Sequence, residues 1–266
     1  MKKSILVLIF ATLLVFSFAA IAPAAATLDT ILKRGELIVG TTGTQPPLNA
    51  TNKAGEVIGF DADIAKMIAK SMGVKIRFST MPFSELLPAL EGGKVDMVIS
   101  SMTMTLERNL KIAFVGPYYV SGKGILTKTS AIATLQDSDG LNKPEFKVAA
   151  LQDSTSQKFV ETAAPKAELV KVKSYDVALD MLVQDKIIAM VADYPFCAFS
   201  AFRYRDKGLV AGQSRLTFEP LGIAVQPDTL LINWLSNFLT MINGSGQIKI
   251  LNKKWFENSN WIKDLP

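Results

Sequence analysis

Short apolar runs alternate with segments of helical periodicity along this chain, and the alternation restricts the fold strongly. Leu37–Val39 has strand length, and the segment Asp61–Met72 that follows it carries apolar residues at helical spacing, with Asp61 as the expected N-cap. Val74–Phe78 and Phe83–Leu90 repeat this order, and Val95–Ile99 is a third apolar run. Parallel strands need crossover connections, usually helices. The sequence therefore predicts an α/β fold with a parallel sheet covered by helices on both faces.

The second half of the chain repeats this organisation after a break at Pro117–Tyr119. Three further apolar runs each precede a helical segment: Lys147–Leu151, Glu168–Val172 and Ile187–Ala192. Phe218–Val225 predicts a strand that returns to the first half. Because no glycine-, proline- or serine-rich linker separates the halves, we expect strands to join them. The predicted domains are a first lobe of residues 27–119 plus 220–266 and a second lobe of residues 120–219.

The first 26 residues have the composition of a secretory signal peptide. Lys2 and Lys3 precede the apolar stretch Ile5–Ala20, and small residues follow up to Ala26, where we expect cleavage. A membrane anchor would need a longer span. No cysteine lies near this point, so a lipid anchor is not expected. The sequence thus predicts a periplasmic protein.

Composition excludes several classes of function. The chain has no histidine, which removes Ser-His-Asp and Cys-His catalysis and makes most zinc sites improbable. Cys197 is the single cysteine, so no internal disulfide can form. Without Lys2 and Lys3, 27 basic residues face 24 acidic ones, and no basic cluster indicates nucleic-acid binding. We expect neither a cofactor nor a metal.

The run Val95–Ile99 ends in hydroxyl residues that lead to a short helix. Thr105 is a candidate N-cap, and Arg108 lies in the first turn. Free N–H groups, hydroxyls and a guanidinium together form a suitable place for a carboxylate. The alternative is that Thr105 caps a surface helix and Arg108 is a solvated charge.

Asp193 offers a second candidate anchor. It directly follows the apolar run Ile188–Val191, where an unpaired buried carboxylate would be costly. Its carboxylate could face a ligand ammonium, or it could cap the helix that begins at Tyr194. Local pattern leaves both alternatives open.

Several motifs, in this order and spacing, resemble the polar amino-acid-binding proteins of ABC importers, bacterial solute-binding protein family 3. The resemblance extends from Leu28 to Trp261. It is carried by Gly59–Asp61, Leu86–Leu90, Ser101–Arg108, Ile112–Tyr119 and Val191–Asp193. It implies the type II periplasmic binding protein fold, two α/β lobes joined by a two-strand hinge with the ligand cleft between them.

The resemblance also implies roles for individual residues. Arg108 would form a bidentate pair with the carboxylate of a free amino acid, and Asp193 would bind its ammonium. Ser101 and Thr103 would contact one of these groups, and Thr155 would add a donor from the second lobe. The protein would act as a monomer, close around its ligand, and deliver it to the membrane permease subunits of an ABC importer.

The expected side-chain pocket departs from relatives that bind cationic amino acids. Thr42 and Gln45 stand where those relatives have an aspartate and an aromatic residue. Phe83 and Leu151 would form apolar walls, and Phe60 belongs either to the pocket or to the core. A neutral ligand, polar or moderately apolar, is therefore expected.

Cyclohexadienyl dehydratases, exported enzymes on the same fold, are the alternative. Leu28–Leu32 and Val39–Gly43 resemble them. Such an elimination needs a general acid, which the resemblance places in the first helix of the second lobe. The matching stretch here, Ser154–Phe159, carries no carboxyl group. Binding without catalysis is therefore the favoured interpretation.

Overall fold

A computed structural model describes residues 27–135 and 137–266 of the 266-residue chain. The predicted signal peptide, residues 1–26, lies outside the described residues. No helix in the described part is both long and apolar enough to cross a bilayer.

Helices and short strands alternate through both halves of the chain. The α-helices are α1 (Thr27–Arg34), α2 (Phe60–Met72), α3 (Phe83–Glu91), α4 (Leu106–Asn109), α5 (Ser138–Leu141), α6 (Thr155–Ala163), α7 (Tyr175–Val183), α8 (Tyr194–Arg203), α9 (Thr229–Gly244) and α10 (Gln247–Asn252). The strands are β1 (Glu36–Thr41), β2 (Thr44–Gln45), β3 (Asn49–Thr51), β4 (Val57–Ile58), β5 (Lys75–Thr80), β6 (Met97–Val98), β7 (Ala113–Ser121), β8 (Lys123–Lys128), β9 (Lys147–Leu151), β10 (Glu168–Val172), β11 (Ala189–Asp193), β12 (Leu209–Ala211) and β13 (Glu219–Val225).

The first lobe is built on a five-stranded sheet in the order β5-β1-β6-β13-β7. Strand β1 pairs in parallel with β5 and β6, whereas β13 pairs antiparallel with β6 and β7. Only Met97–Val98 of the predicted strand Val95–Ile99 join the ladder. The carboxylate of Asp96 instead accepts hydrogen bonds from the Ile38 amide, at 2.7 Å, and from Arg34.

The second lobe is built on another five-stranded sheet, in the order β10-β9-β11-β8-β12. Strands β10, β9 and β11 are parallel, and β8 pairs antiparallel with β11 and β12. The predicted strands Lys147–Leu151 and Glu168–Val172 are confirmed residue for residue. Strand β9 is buried after its first residue, as an inner parallel strand requires, whereas β10 forms the edge of the sheet and exposes Glu168 and Lys171.

The chain crosses between the two sheets at two places. The first crossing is Ser121–Lys123, where β7 ends and β8 begins, and the second comes just before Glu219 at the start of β13. This arrangement is the type II periplasmic binding protein fold, with two α/β lobes and two connecting strands. The crossings lie within a few residues of residues 119–120 and 219–220, where the sequence predicts the boundaries between the lobes. The boundaries remain a prediction.

The start of α2 corrects one expectation from the sequence. Asp61 was expected to cap this helix, but the helix begins at Phe60 after Gly59 and has no side-chain cap. The backbone of Gly59 has φ +129, and a Cβ there would lie 2.2 Å from the Leu48 carbonyl oxygen. Glycine is therefore required at the entry, and the Asp61 carboxylate turns into the protein interior.

Candidate functional site

The two lobes meet across a cleft through several polar contacts of the described residues. Gln45 Nε2 of the first lobe donates to Asp193 Oδ2 of the second at 2.6 Å. The hydroxyls of Thr103 and Thr155 lie 3.3 Å apart. Near the mouth of the cleft, Arg108 Nη2 donates to a backbone carbonyl of the second lobe at 3.3 Å. The cleft therefore brings predicted site residues of both lobes together.

Asp193 ends strand β11 and points into this cleft. Its Oδ1 pairs with Lys123 Nζ at 2.7 Å, and its Oδ2 accepts from Gln45. Asp193 precedes α8 in sequence, but its side chain makes no capping hydrogen bond to the helix. The helix-cap alternative for this residue is therefore wrong. A carboxylate that is 3 % exposed is stabilised by the neighbouring ammonium instead.

Glu219 is a second buried carboxylate in the cleft. Its Oε2 accepts from Thr103 Oγ1 at 2.6 Å and from Thr155 Oγ1 at 3.0 Å, and Oε1 accepts from Thr217. Lys123 Nζ lies 3.5 Å from the same Oε2. Burial alone would raise the pKa of this carboxyl, but Lys123 and the three hydroxyls outweigh burial and hold the pKa below its ordinary value.

Neither Lys123 nor Glu219 was predicted from the sequence as a site residue. The available signal was a single charged residue at the start of each of two otherwise apolar strands. Lys123 begins the apolar run of β8, and Glu219 begins that of β13. Because an unpaired buried charge is costly, each residue required a partner. The partners are 70 and 116 residues away in sequence, so local pattern could not identify them.

Arg108 lies at the mouth of the cleft, as its helix dictates. Thr105 caps α4 by accepting from the Arg108 amide at 3.2 Å, which confirms the predicted N-cap. Arg108 Nη1 donates to the Thr103 carbonyl at 2.9 Å, and its guanidinium lies over the Phe83 ring, 5.6 Å from the centroid. Burial lowers the pKa of Arg108, and the two carboxylates in the cleft oppose this effect. The remaining guanidinium N–H groups are available for an anion.

Two adjoining cavities lie along the cleft. The outer cavity, about 590 Å³, is lined by Arg108 and Thr155 as well as by Phe83. The inner cavity measures about 320 Å³, at the small end of ligand pockets. Its described lining consists of Thr42, Thr44, Gln45, Thr80, Met81, Pro82, Phe83, Leu151, Lys173, Ser174 and Tyr175. Four of the side chains expected in the pocket, Thr42, Gln45, Phe83 and Leu151, therefore do line one cavity.

Four predicted site residues lie outside the lining of these cavities: Phe60, Ser101, Thr103 and Asp193. Phe60 is fully buried in the core, with its ring 5.6 Å from that of Tyr119, so the core alternative describes its position. The hydroxyl of Ser101 faces inward and donates to Asp61 Oδ2 at 3.2 Å. Ser101 thus shapes the loop that carries Thr103, with its own backbone at φ 52.

Asp61 supports this loop from below. Its carboxylate accepts from the Ser101 amide at 2.8 Å, from Asn49 at 2.9 Å and from the Tyr118 hydroxyl at 3.0 Å. Burial raises the pKa of Asp61 to about 6, although these hydrogen bonds act in the opposite direction. The interior carboxyl therefore fixes the loop between β6 and α4 against the core.

The charges in the cleft balance. Arg108 and Lys123 supply two positive charges, and Asp193 and Glu219 supply two negative ones. No group of three or more acidic or cysteine side chains in the described part of the chain could hold a metal ion. These four charges balance one another, and Lys173 in the lining of the inner cavity adds one further positive charge.

Comparison with known proteins gives concordant results. Residues 37–258 match the family model "Bacterial extracellular solute-binding proteins, family 3". The chain is 29% identical to ABC transporter arginine-binding protein 1 of Escherichia coli (strain K12), over 82% of this chain and 89% of that protein. It is 24% identical to cyclohexadienyl dehydratase of Pseudomonas aeruginosa, over 95% and 94% of the two chains.

A similar solved structure is that of an ancestral amino acid-binding protein, a precursor of cyclohexadienyl dehydratase. It matches with a TM-score of 0.80 and 38% identity, over 87% of this chain and all of that one. The family resemblance found in the sequence is confirmed, because the family model spans most of the chain and both lobes. This chain belongs to the bacterial extracellular solute-binding proteins, family 3.

Proposed function

We propose that this protein is a periplasmic binding protein that captures a free L-amino acid, neutral or polar, and delivers it to an ABC importer. It would act as a monomer and present the ligand-bound form to the membrane permease subunits. The observation that carries the proposal is the placement of opposite charges along one cleft. Arg108 contributes from the first lobe at the mouth, and Asp193 contributes from the second lobe at the base.

A zwitterionic ligand fits this arrangement. Its carboxylate would bind Arg108 and the hydroxyl of Thr155, which line the outer cavity. Its ammonium would bind near Asp193 and Glu219, replacing the amide of Gln45. Because these groups belong to both lobes, a ligand that contacts all of them favours the closed arrangement of the lobes by its differential affinity.

The composition of the inner cavity argues against a cationic side chain. The described residues lining it include several hydroxyls and one lysine, but no carboxylate. An arginine or lysine side chain would therefore enter without a counter-charge. This supports a neutral or polar ligand, even though the relative from Escherichia coli is named for arginine binding.

Calorimetry on protein freed of bound ligand by unfolding and refolding tests the proposal. A screen of the twenty L-amino acids should identify a ligand, and Arg108→Ala should weaken its binding at least about 100-fold. This estimate assumes two charge-assisted hydrogen bonds of roughly 1.5–3 kcal/mol each. Arg205→Ala, which removes an exposed arginine outside both cavities, is the control. Unchanged affinity in a folded Arg108→Ala variant would refute the carboxylate role.

Similarity to cyclohexadienyl dehydratase supports a second candidate, an elimination on prephenate or arogenate. Asp193 and Glu219 are the buried carboxyl groups of the cleft, and Glu91, Glu107, Asp153 and Glu161 line its outer cavity. Glu219, with its pKa held low, is a poor general acid at neutral pH. We therefore expect no phenylpyruvate from prephenate. Its formation by purified protein, and its loss in Glu219→Gln, would instead support the enzyme.

A further inference from the structure

The inner cavity adjoins each predicted end of the amino-acid site through one of its lining residues. Gln45 lines the cavity and also donates to Asp193, the ammonium anchor. Phe83 lines both cavities and lies under the Arg108 guanidinium. A ligand held at Arg108 and Asp193 therefore has one confined space for its side chain, past Phe83 and toward the far wall of the inner cavity.

The far wall of this cavity is rich in hydrogen-bond donors. Thr44 and Thr80 carry hydroxyls, and Ser174 accepts from the Val177 amide at 3.5 Å, which leaves its own hydroxyl hydrogen free to donate. Lys173 stands next to Ser174 and lines the same wall. It forms no ion pair with any residue in the described ranges.

The electrostatics of this wall are positive. Lys173 is the one charged side chain among the described lining residues, and none of them carries a carboxyl group. Ser174 caps the nine-residue helix α7, whose N-terminal end contributes further partial positive charge. Asp176, in the first turn of that helix, lines a different cavity together with Arg203, so it does not neutralise Lys173 there.

We propose that the side chain of the ligand ends in a hydrogen-bond acceptor oxygen, a carboxamide or a carboxylate, and that Lys173 is the residue that recognises it. The apolar rings and methyls of Phe83, Leu151 and Met81 accommodate the methylene groups between the backbone and this oxygen. A volume of about 320 Å³ suits a side chain of the length of glutamine or glutamate. This inference rests on the proposed amino-acid-binding function.

Four ligands and three variants test this inference by calorimetry on the full mature chain. L-glutamine and L-glutamate carry the terminal oxygen, L-norleucine has similar length without it, and L-arginine carries a positive end. We expect glutamine or glutamate to bind at least about tenfold more tightly than norleucine. Lys173→Ala should weaken the better ligand about tenfold and leave norleucine within about twofold. Lys173→Glu should weaken glutamate further and improve arginine.

Lys171→Ala is the matched control, because Lys171 is exposed like Lys173 but lies in strand β10, pairs with Glu161 at 3.5 Å and does not line the cavity. It should leave all affinities unchanged. A carboxylate ligand is distinguished from a carboxamide by a steeper loss of affinity with added salt.

Equal binding of norleucine and both oxygen-bearing ligands would overturn the role of Lys173 while leaving amino-acid binding intact. An equal loss for every ligand in Lys173→Ala would do the same. If none of the twenty amino acids binds, the proposed function fails and this inference fails with it.

Discussion

Lys123→Met is the substitution that most directly tests the charge cluster of the cleft. Lys123 is 2 % exposed, and its Nζ lies 2.7 Å from Asp193 and 3.5 Å from Glu219. Methionine preserves most of the buried aliphatic volume and removes the charge. Two buried carboxylates then lose their neighbouring cation. Removing one partner of a buried ion pair costs about 3–5 kcal/mol, so we expect a loss of that size in the free energy of unfolding.

Urea denaturation of purified, ligand-free protein measures this loss of free energy. Thermal unfolding gives a second measurement. For a chain of this size, each kcal/mol lowers Tm by about 2–4 °C, so Tm should fall by roughly 6–20 °C. The control is Lys171→Met, which breaks an exposed pair with Glu161 and should cost less than about 1 kcal/mol. The double variant Lys123→Met with Asp193→Asn should recover part of the loss, because it removes one of the stranded carboxylates.

The pH dependence of the same variant gives an independent check. Removing Lys123 takes away a charge that lowers the pKa of Glu219, so burial should raise the pKa of Glu219 in the folded state. A folded-state pKa above the unfolded value destabilises the protein where the group is ionised, so the deficit should shrink as pH falls from 7 to 5. A stability loss below about 1 kcal/mol at pH 7 would refute the buried pair.

Two further predictions concern the loop and helix that support the site. The Asp61 carboxyl should titrate near pH 6 in a carboxyl-carbon NMR experiment, and titration near pH 4 would contradict its burial. This folded-state pKa lies above the unfolded value. The contribution of Asp61 to stability should therefore decrease as pH rises from about 4 to 6. Gly59→Ala should lower the free energy of unfolding by several kcal/mol, because the added Cβ meets the Leu48 carbonyl at 2.2 Å and φ is +129. The control is Gly244→Ala, at a helical glycine whose added Cβ would meet open space. This control should be neutral or stabilising.

The elements that the sequence predicted well are those that local pattern determines. Strands Lys147–Leu151 and Glu168–Val172 have clear ends in the sequence, and Thr105 and Ser174 cap the predicted helices through their own hydroxyls. Capping and periodicity involve neighbours within four residues, so one sequence is sufficient to recognise them.

The features that the sequence did not predict depend on distant partners. Asp61 occupies a position that usually caps a helix, but the Ser101 amide, 40 residues away, binds its carboxylate instead. Val95–Ile99 is apolar enough for a full strand, yet Asp96 accepts a hydrogen bond from the Ile38 amide, and only two residues of the run join the ladder. Such competition between local preference and tertiary hydrogen bonds is invisible before the chain is folded.

The position of Lys123 separates the contacts that persist on opening from those that closure makes. Lys123 and Asp193 are register partners on the adjacent strands β8 and β11, so their ion pair belongs to the second lobe alone. The bond from Gln45 to Asp193 and the contact between Thr103 and Thr155 join the two lobes and must break when the cleft opens. Asp193 therefore stays charge-compensated in the open form, and opening exposes a neutral pair rather than a bare carboxylate. In the proposed binding mode, a ligand ammonium would replace the single amide of Gln45 at Asp193, while Lys123 would keep its ion pair.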